Sequence, residues 1–227
     1  MSEHKGFLSG NALKLIAAAA MVLDHAGLMF FPGNDFLRIL GRLAFPIFAF
    51  MIAEGSKYTR NKVRYFGQLF ALALVCQIVY FLVDGSMYLS VLFTFSLALL
   101  MVFALQACKE KPTAFRIGIF LLSVLTVWQL NQVFTIDYGF WGCMVPLFAA
   151  LLHKSPFDGK LANVACLGLG LLLLAWDLGG WQIWSLAALP LLLLYSGQRG
   201  KWKMKYFFYI FYPAHLALLQ VLAWIVM

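Results

Sequence analysis

The sequence predicts an all-α fold, a polytopic transmembrane helical bundle of about nine helices. It reads as one domain over residues 1–227, with its N-terminus in the cytoplasm. Three observations predict this. Of 227 residues, 63% are hydrophobic and only 11% are charged, where an ordinary soluble domain is about 25% charged. The apolar residues fall into about nine runs, most of them near the ~20 residues that a spanning helix requires. The basic residues gather in alternate connections between those runs.

The first run, 12–31, follows Lys5 and Lys14. It reads as a span rather than a cleaved leader. It is long, ends in Phe30-Phe31-Pro32 instead of small residues, and carries Asp24-His25 in its core. A tight turn at Pro32-Gly33-Asn34 sends the chain back into 36–55. Runs at 65–83, 88–107, 115–132, 138–153, 161–177, 181–195 and 206–226 follow, of which 181–195 is short for a span. Lys57, Arg60, Lys62 and Arg64 follow the second run, and Lys109, Lys111 and Arg116 flank the fourth connection. Lys154 and Lys160 lie in the sixth connection, and Arg199, Lys201, Lys203 and Lys205 in the eighth. The other connections carry Asp35, Asp84, Asp137 and Asp177, with Arg38 as their one basic residue. The positive-inside rule then places the N-terminus in the cytoplasm and the C-terminus outside, an arrangement that nine spans give and eight or ten would not.

This charge pattern explains the net charge of +8 by topology, so nucleic acid is not a predicted partner. Cys76, Cys108, Cys143 and Cys166 show no C-x-x-C spacing, and no metal site is predicted. The 22 Phe, 7 Trp and 9 Tyr suit helix packing and interfacial belts among membrane lipids.

Asp24, His25 and Arg42 sit inside the first two apolar runs, and Glu54 lies near the end of the second. Ionisable groups at membrane depth are costly and mark functional sites by default. A polar cluster that merely locks helices is the bland alternative. Helical rise puts His25 and Arg42 each roughly 19 Å, and His215 roughly 14 Å, above the cytoplasmic ends of their helices. Three helices thus bring polar groups to one layer. Lys14 precedes His25 by eleven residues, close to three turns, so both face one side of the first helix. That layout suits a slot entered from the cytoplasm by an anionic ligand, although a lysine at a helix end also marks topology. Asp24 either orients His25 or pairs with Arg42. Pro213 frees a backbone carbonyl that His215 can satisfy. Gly27, Gly41 and Gly55 allow close helix approach. Thr94, Ser96, Asn131 and Gln132 are weaker polar candidates.

These residues resemble a known family. The pieces are Leu13-Lys14-x-Ile16-Ala17 with Met21-x-x-Asp24-His25-x-Gly27, and Arg38-Ile39-x-Gly41-Arg42-x-Ala44-Phe45-Pro46-x-Phe48. Glu54-Gly55, Phe93-Thr94, Tyr138-Gly139-x-x-Gly142 and Phe208-Tyr209-x-x-Tyr212-Pro213-x-His215-Leu216 complete them. In order, they resemble the TraX family, named for a conjugal-transfer protein that acetylates the N-terminus of F-type pilin. The same pieces look like a reduced form of the membrane acyltransferase-3 group, which has a basic residue eleven positions before a first-helix histidine. The resemblance implies a catalytic His25 and an acyl-CoA donor, with Arg60-Asn61-Lys62-Val63-Arg64 matching the basic arm that meets the CoA phosphates. This chain has Lys14 where the wider group usually has arginine, and its arm lacks the usual closing proline.

The expected activity is therefore acetyl transfer from cytoplasmic acetyl-CoA, in the plasma membrane of a bacterium. The acceptor is an amine or hydroxyl on a peptide, lipid or small molecule. His25 is the expected general base, tuned by Asp24, with Arg42, His215 and Glu54 completing the catalytic set. Lys14, Arg60, Lys62 and Arg64 are the expected contacts to CoA phosphate. A proton-coupled transporter and a non-catalytic assembly protein of a secretion system are the competing readings. No inverted repeat supports the transporter.

Overall fold

A computed structural model describes residues 6–202 and 204–226, apart from the side chains of residues 83, 84, 205, 206 and 226. Lys5 and Lys203, and the side chains of Asp84 and Lys205, lie outside the described residues. Among those described, the regular elements are all helical, with two isolated bridges, Leu8 to Tyr195 and Leu89 to Ile136. Seven helices among the described residues are long and apolar enough to cross a membrane. The chain is a multi-pass membrane protein. Each expected run is helical, but 138–153 and 181–195 hold only the short apolar helices Gly139–Ala150 and Gly180–Leu193. The expected bundle of about nine helices is thus present, and among the described residues seven of the nine have spanning length.

The contacts divide the chain into two compact units. The first takes the chain up to Phe48 and from Gly179 onward. It contains α1 (Gly10–Phe30), α2 (Asp35–Gly41) and the start of α3 (Ala44–Tyr58). Much later in sequence come the 3₁₀ helix Gly180–Ala187, α9 (Ala188–Leu193) and α10 (Lys205–Val226). Ser9 caps α1 by accepting from the Ala12 amide at 3.2 Å. The turn at Pro32-Gly33-Asn34 forms as expected. Gly33 adopts φ 98°, open to glycine, and Asn34 caps α2 through the Leu37 amide. The expected single run 36–55 breaks at Arg42-Leu43. Pro46 lacks the amide that would bond the Arg42 carbonyl, and Leu43 instead closes a tight turn onto Leu40 at 3.2 Å. The connection after α9 packs on the start of α1. Gly10 and Asn11 amides donate to the carbonyls of Gln198 and Arg199 at 2.8 and 3.0 Å.

The second unit, Ala49–Leu178, holds the rest of α3 and five further helices. They are α4 (Lys62–Asp84), α5 (Val91–Glu110), α6 (Ala114–Val133), α7 (Gly139–Ala150) and α8 (Lys160–Leu178). Its connections segregate by charge. At one end Lys57 bonds Asp158 at 2.8 Å and Lys154 bonds Glu110 at 3.3 Å. At the other, Tyr88 donates to Asp137 at 2.7 Å. Three of the four weaker polar candidates bond backbone carbonyls. Thr94 donates to the Asp137 carbonyl, while Ser96 and Asn131 bond carbonyls one turn back, those of Leu92 and Val127.

Candidate active site

Helices α1 and α10 run side by side in one direction. Lys14, near the start of α1, lies 5.9 Å over the ring of Phe208, near the start of α10. Three turns on, His25 meets His215 with ring centroids 5.3 Å apart and planes at 78°. Lys14 and His25 thus share the face toward α10 that their spacing predicts. Phe211 stacks on His215 at 4.8 Å.

Both imidazoles are held alike. Nδ1 of His25 lies 2.8 Å from the Met21 carbonyl, and Nδ1 of His215 lies 2.9 Å from the Phe211 carbonyl. A carbonyl only accepts, so each Nδ1 carries a proton, and in the neutral ring each Nε2 then presents the lone pair. Nε2 of His215 is buried with no hydrogen-bond partner among the described residues. The carbonyl that His215 takes is its own helical i−4 group, Phe211. It is not that of Tyr209, which Pro213 releases.

Asp24 turns to the arginines, which resolves the choice left open by the sequence. Arg42 Nη2 donates to both carboxylate oxygens at 2.7 Å, and Arg38 Nη1 to Oδ1 at 2.9 Å. Arg38 and Arg42 are one helical turn apart, so both reach one carboxylate. Gly41 makes this possible. A Cβ at that position would stand 2.3 Å from the Asp24 Cβ, closer than atoms approach. Gln182, from the 3₁₀ helix, accepts from Arg42 Nη1 at 3.3 Å. Asp24 and Arg42 side chains are only 15% and 13% exposed. Two guanidiniums and one carboxylate leave the cluster one positive charge.

The other expected residues belong to the second unit. Glu54 lies 4.0 Å from Nε2 of His153 and hydrogen-bonds Tyr58. Lys62 stands 4.0 Å from Glu110 and 5.5 Å over the ring of Phe103. Arg60 and Arg64 are exposed. His153, beyond the end of α7, is pushed down to about 4 by burial first and then by the Lys57 charge. Burial pushes Asp158 up, but hydrogen bonds from Lys57, Asn163 and the Lys154 amide bring it to about 2.

The model of one family, described as TraX protein, matches residues 9–223. The chain belongs to the TraX family. One relative of this TraX-family chain is the probable fimbrial assembly protein FimC, serogroup H1, of Dichelobacter nodosus. It is 31% identical over 258 residues, covering 96% of this chain and 97% of the relative. Protein TraX of Escherichia coli is 27% identical over 223 residues, covering 94% and 86%. No solved structure matches.

Sequence reasoning missed four residues of this TraX-family chain. Arg38 read as a loop charge, yet its i, i+4 spacing from Arg42 was the available signal. Gln182 and Ser185 lay in the least regular run, where an i, i+3 polar pair among tryptophans was the signal. His153 sat at the end of an apolar run and looked like part of it.

Proposed function

We propose that this TraX-family protein is an integral-membrane acetyltransferase of the bacterial plasma membrane. It takes the acetyl group from acetyl-CoA on the cytoplasmic side, where the N-terminus lies, and passes it to an amine. The observation that carries this reading is the pair of facing imidazoles, each held through Nδ1 by a backbone carbonyl, in the same unit as a cluster of net positive charge. Family membership supports it, as does the Lys14-to-His25 spacing shared with the acyltransferase-3 group. The name of the fimbrial relative directs the acceptor toward a pilus subunit.

In the reaction, the acceptor nitrogen attacks the thioester carbonyl carbon. Nε2 of His25 takes the amine proton as the C–N bond forms. The C–S bond breaks, and the proton passes to the departing thiolate, giving amide and free CoA thiol. The net positive charge of Asp24, Arg38 and Arg42 favours the oxyanion that develops on the carbonyl oxygen. Asp24 is then a positioning residue for Arg42 rather than a partner of His25. His215 packs edge-on against His25 and supplies a second lone pair on the acceptor side.

Within the second unit, the cations expected at the donor's phosphates differ. Arg60 and Arg64 are exposed and make no ion pair among the described residues, whereas Lys62 is already near Glu110. Lys14 is the cation that the first unit offers at the start of α1. When bound, acetyl-CoA supplies an activated acyl group with a good leaving thiolate. Glu54, with His153 and Tyr58 as neighbours, acts in the second unit and has no step in this scheme.

The test is transfer of labelled acetyl from acetyl-CoA by the purified protein to a peptide carrying a pilin-like N-terminal amine. His25→Ala should abolish transfer while leaving the melting temperature near wild type. Unchanged turnover would end the assignment. Paired imidazoles also suit a proton-coupled transporter, for which acetyl-CoA would leave the melting temperature unmoved. An assembly protein without catalysis would keep its phenotype after loss of His25.

A further inference from the structure

The 3₁₀ helix Gly180–Ala187 runs for eight residues, where such helices seldom exceed three or four. Its faces are inverted for a segment among apolar neighbours. Trp181, Ile183 and Trp184 are 45–46% exposed, while Gln182 and Ser185 are 3% and 0% exposed. With three residues per turn, Gln182 and Ser185 stand one above the other on one face. That face meets α2, because Gln182 accepts from Arg42. Arginine only donates, so the atom facing Arg42 is the carboxamide oxygen, and the NH2 points elsewhere. That NH2 and the Ser185 hydroxyl are both buried without a hydrogen-bond partner among the described residues. Two unmet donors in a dry interior cost free energy unless an acceptor arrives.

We infer that Gln182 Nε2 and Ser185 Oγ donate to the acyl carbonyl oxygen of the bound donor, forming its oxyanion contact beside Arg42. This rests on the acetyltransferase reading and specifies where the thioester carbonyl lies in the first unit. A carbonyl oxygen accepts two hydrogen bonds, matching the two donors presented. As charge grows on that oxygen, the same two bonds strengthen, and Arg42 stands alongside. The tight winding of the segment is what stacks the two side chains, since an α-helix would offset them by about 60°.

The test uses two unreactive analogues and the purified full chain. Acetonyl-CoA keeps the carbonyl but cannot transfer its acyl group, and S-propyl-CoA lacks the carbonyl. Wild type should bind acetonyl-CoA roughly tenfold more tightly. Ser185→Ala, and Gln182→Glu with its Arg42 contact kept, should each remove most of that preference and leave S-propyl-CoA binding unchanged. Ser185→Ala removes an unmet hydroxyl from a packed site, so its ligand-free melting temperature should equal or exceed that of wild type. A purely structural role predicts the opposite pattern: a lower melting temperature with the tenfold preference intact, which would overturn the inference. Failure of wild type to bind either analogue would overturn the acetyltransferase reading as well. Equal wild-type binding of the two would overturn the carbonyl contact alone.

Discussion

The two units each bury a histidine, a carboxylate and a cation, yet they use them differently. In the second unit the charges largely neutralise one another near the chain connections. Asp158 accepts from Lys57, Asn163 and the Lys154 amide, and Lys109 donates to carbonyls at the end of α7. His153 faces Glu54 at 4.0 Å through Nε2, and no carbonyl fixes its Nδ1. In the first unit the carboxylate is outnumbered by two arginines, and both imidazoles are anchored through Nδ1. Similar residue types thus give a paired lock in one place and two carbonyl-anchored rings beside a surplus of arginine in the other. The deciding variable is which nitrogen is already committed.

The largest effect that sharpens this contrast is catalytic. His25→Gln should lower acetyl transfer by at least roughly 100-fold, the low end for loss of a general base, whereas His153→Gln should leave it within about threefold. Equal losses in both variants would erase the distinction between the units.

Next comes stability. Asp24→Asn leaves two guanidiniums facing an uncharged amide, and should cost about 3 kcal/mol in detergent unfolding. Glu110→Gln, whose carboxylate is 48% exposed, should cost under about 0.5 kcal/mol. A small cost for Asp24→Asn would show that the arginines are not held by it.

The pH response should mark the second unit. His153 titrates at about 4 when folded, against 6.5 in a free chain, so the fold favours its neutral ring. Its contribution is complete above pH 6.5 and falls away as pH drops toward 4, by up to about 3 kcal/mol. Asp158 adds a further loss between 3.8 and about 2. Amide protection in residues 151–158, referred to the intrinsic exchange rate at each pH, should fall as pH drops from 6.5 to 4, and His153→Gln should flatten that fall. A profile unchanged by the substitution would remove His153 from the account.

The smallest effect concerns the donor's phosphates. Arg60→Ser and Arg64→Ser should each raise KM for acetyl-CoA by roughly threefold, with the difference shrinking in high salt. Lys62→Ser should do less, because Glu110 already engages it.

Much of this was legible in the chain itself. Apolar runs of spanning length gave the helices, because lipid leaves a backbone few alternatives. The eleven-residue step from Lys14 to His25 gave their shared face, and helical rise brought His25 and His215 to one depth. The break at Arg42-Leu43 was written in Pro46 but looked like a continuous run, since hydropathy does not register a missing amide. The choice of Asp24 between His25 and Arg42 was not legible. It depends on how closely α2 approaches α1, which Gly41 sets through a contact between distant residues. Gln182 and Ser185 escaped because their stacking requires 3₁₀ winding, and periodicity in a run of eight does not distinguish that from an α-helix.

The most direct test of the central claim is nitrogen NMR of the purified protein, labelled in its histidines and assigned by single substitutions. His25 and His215 should both appear as the neutral form with the proton on Nδ1 and a lone pair on Nε2, and His25 Nε2 should shift when acetyl-CoA and an amine acceptor are added. A proton found on Nε2 of His25 in the resting protein would contradict the account, because the nitrogen turned away from the Met21 carbonyl would then have no lone pair to offer.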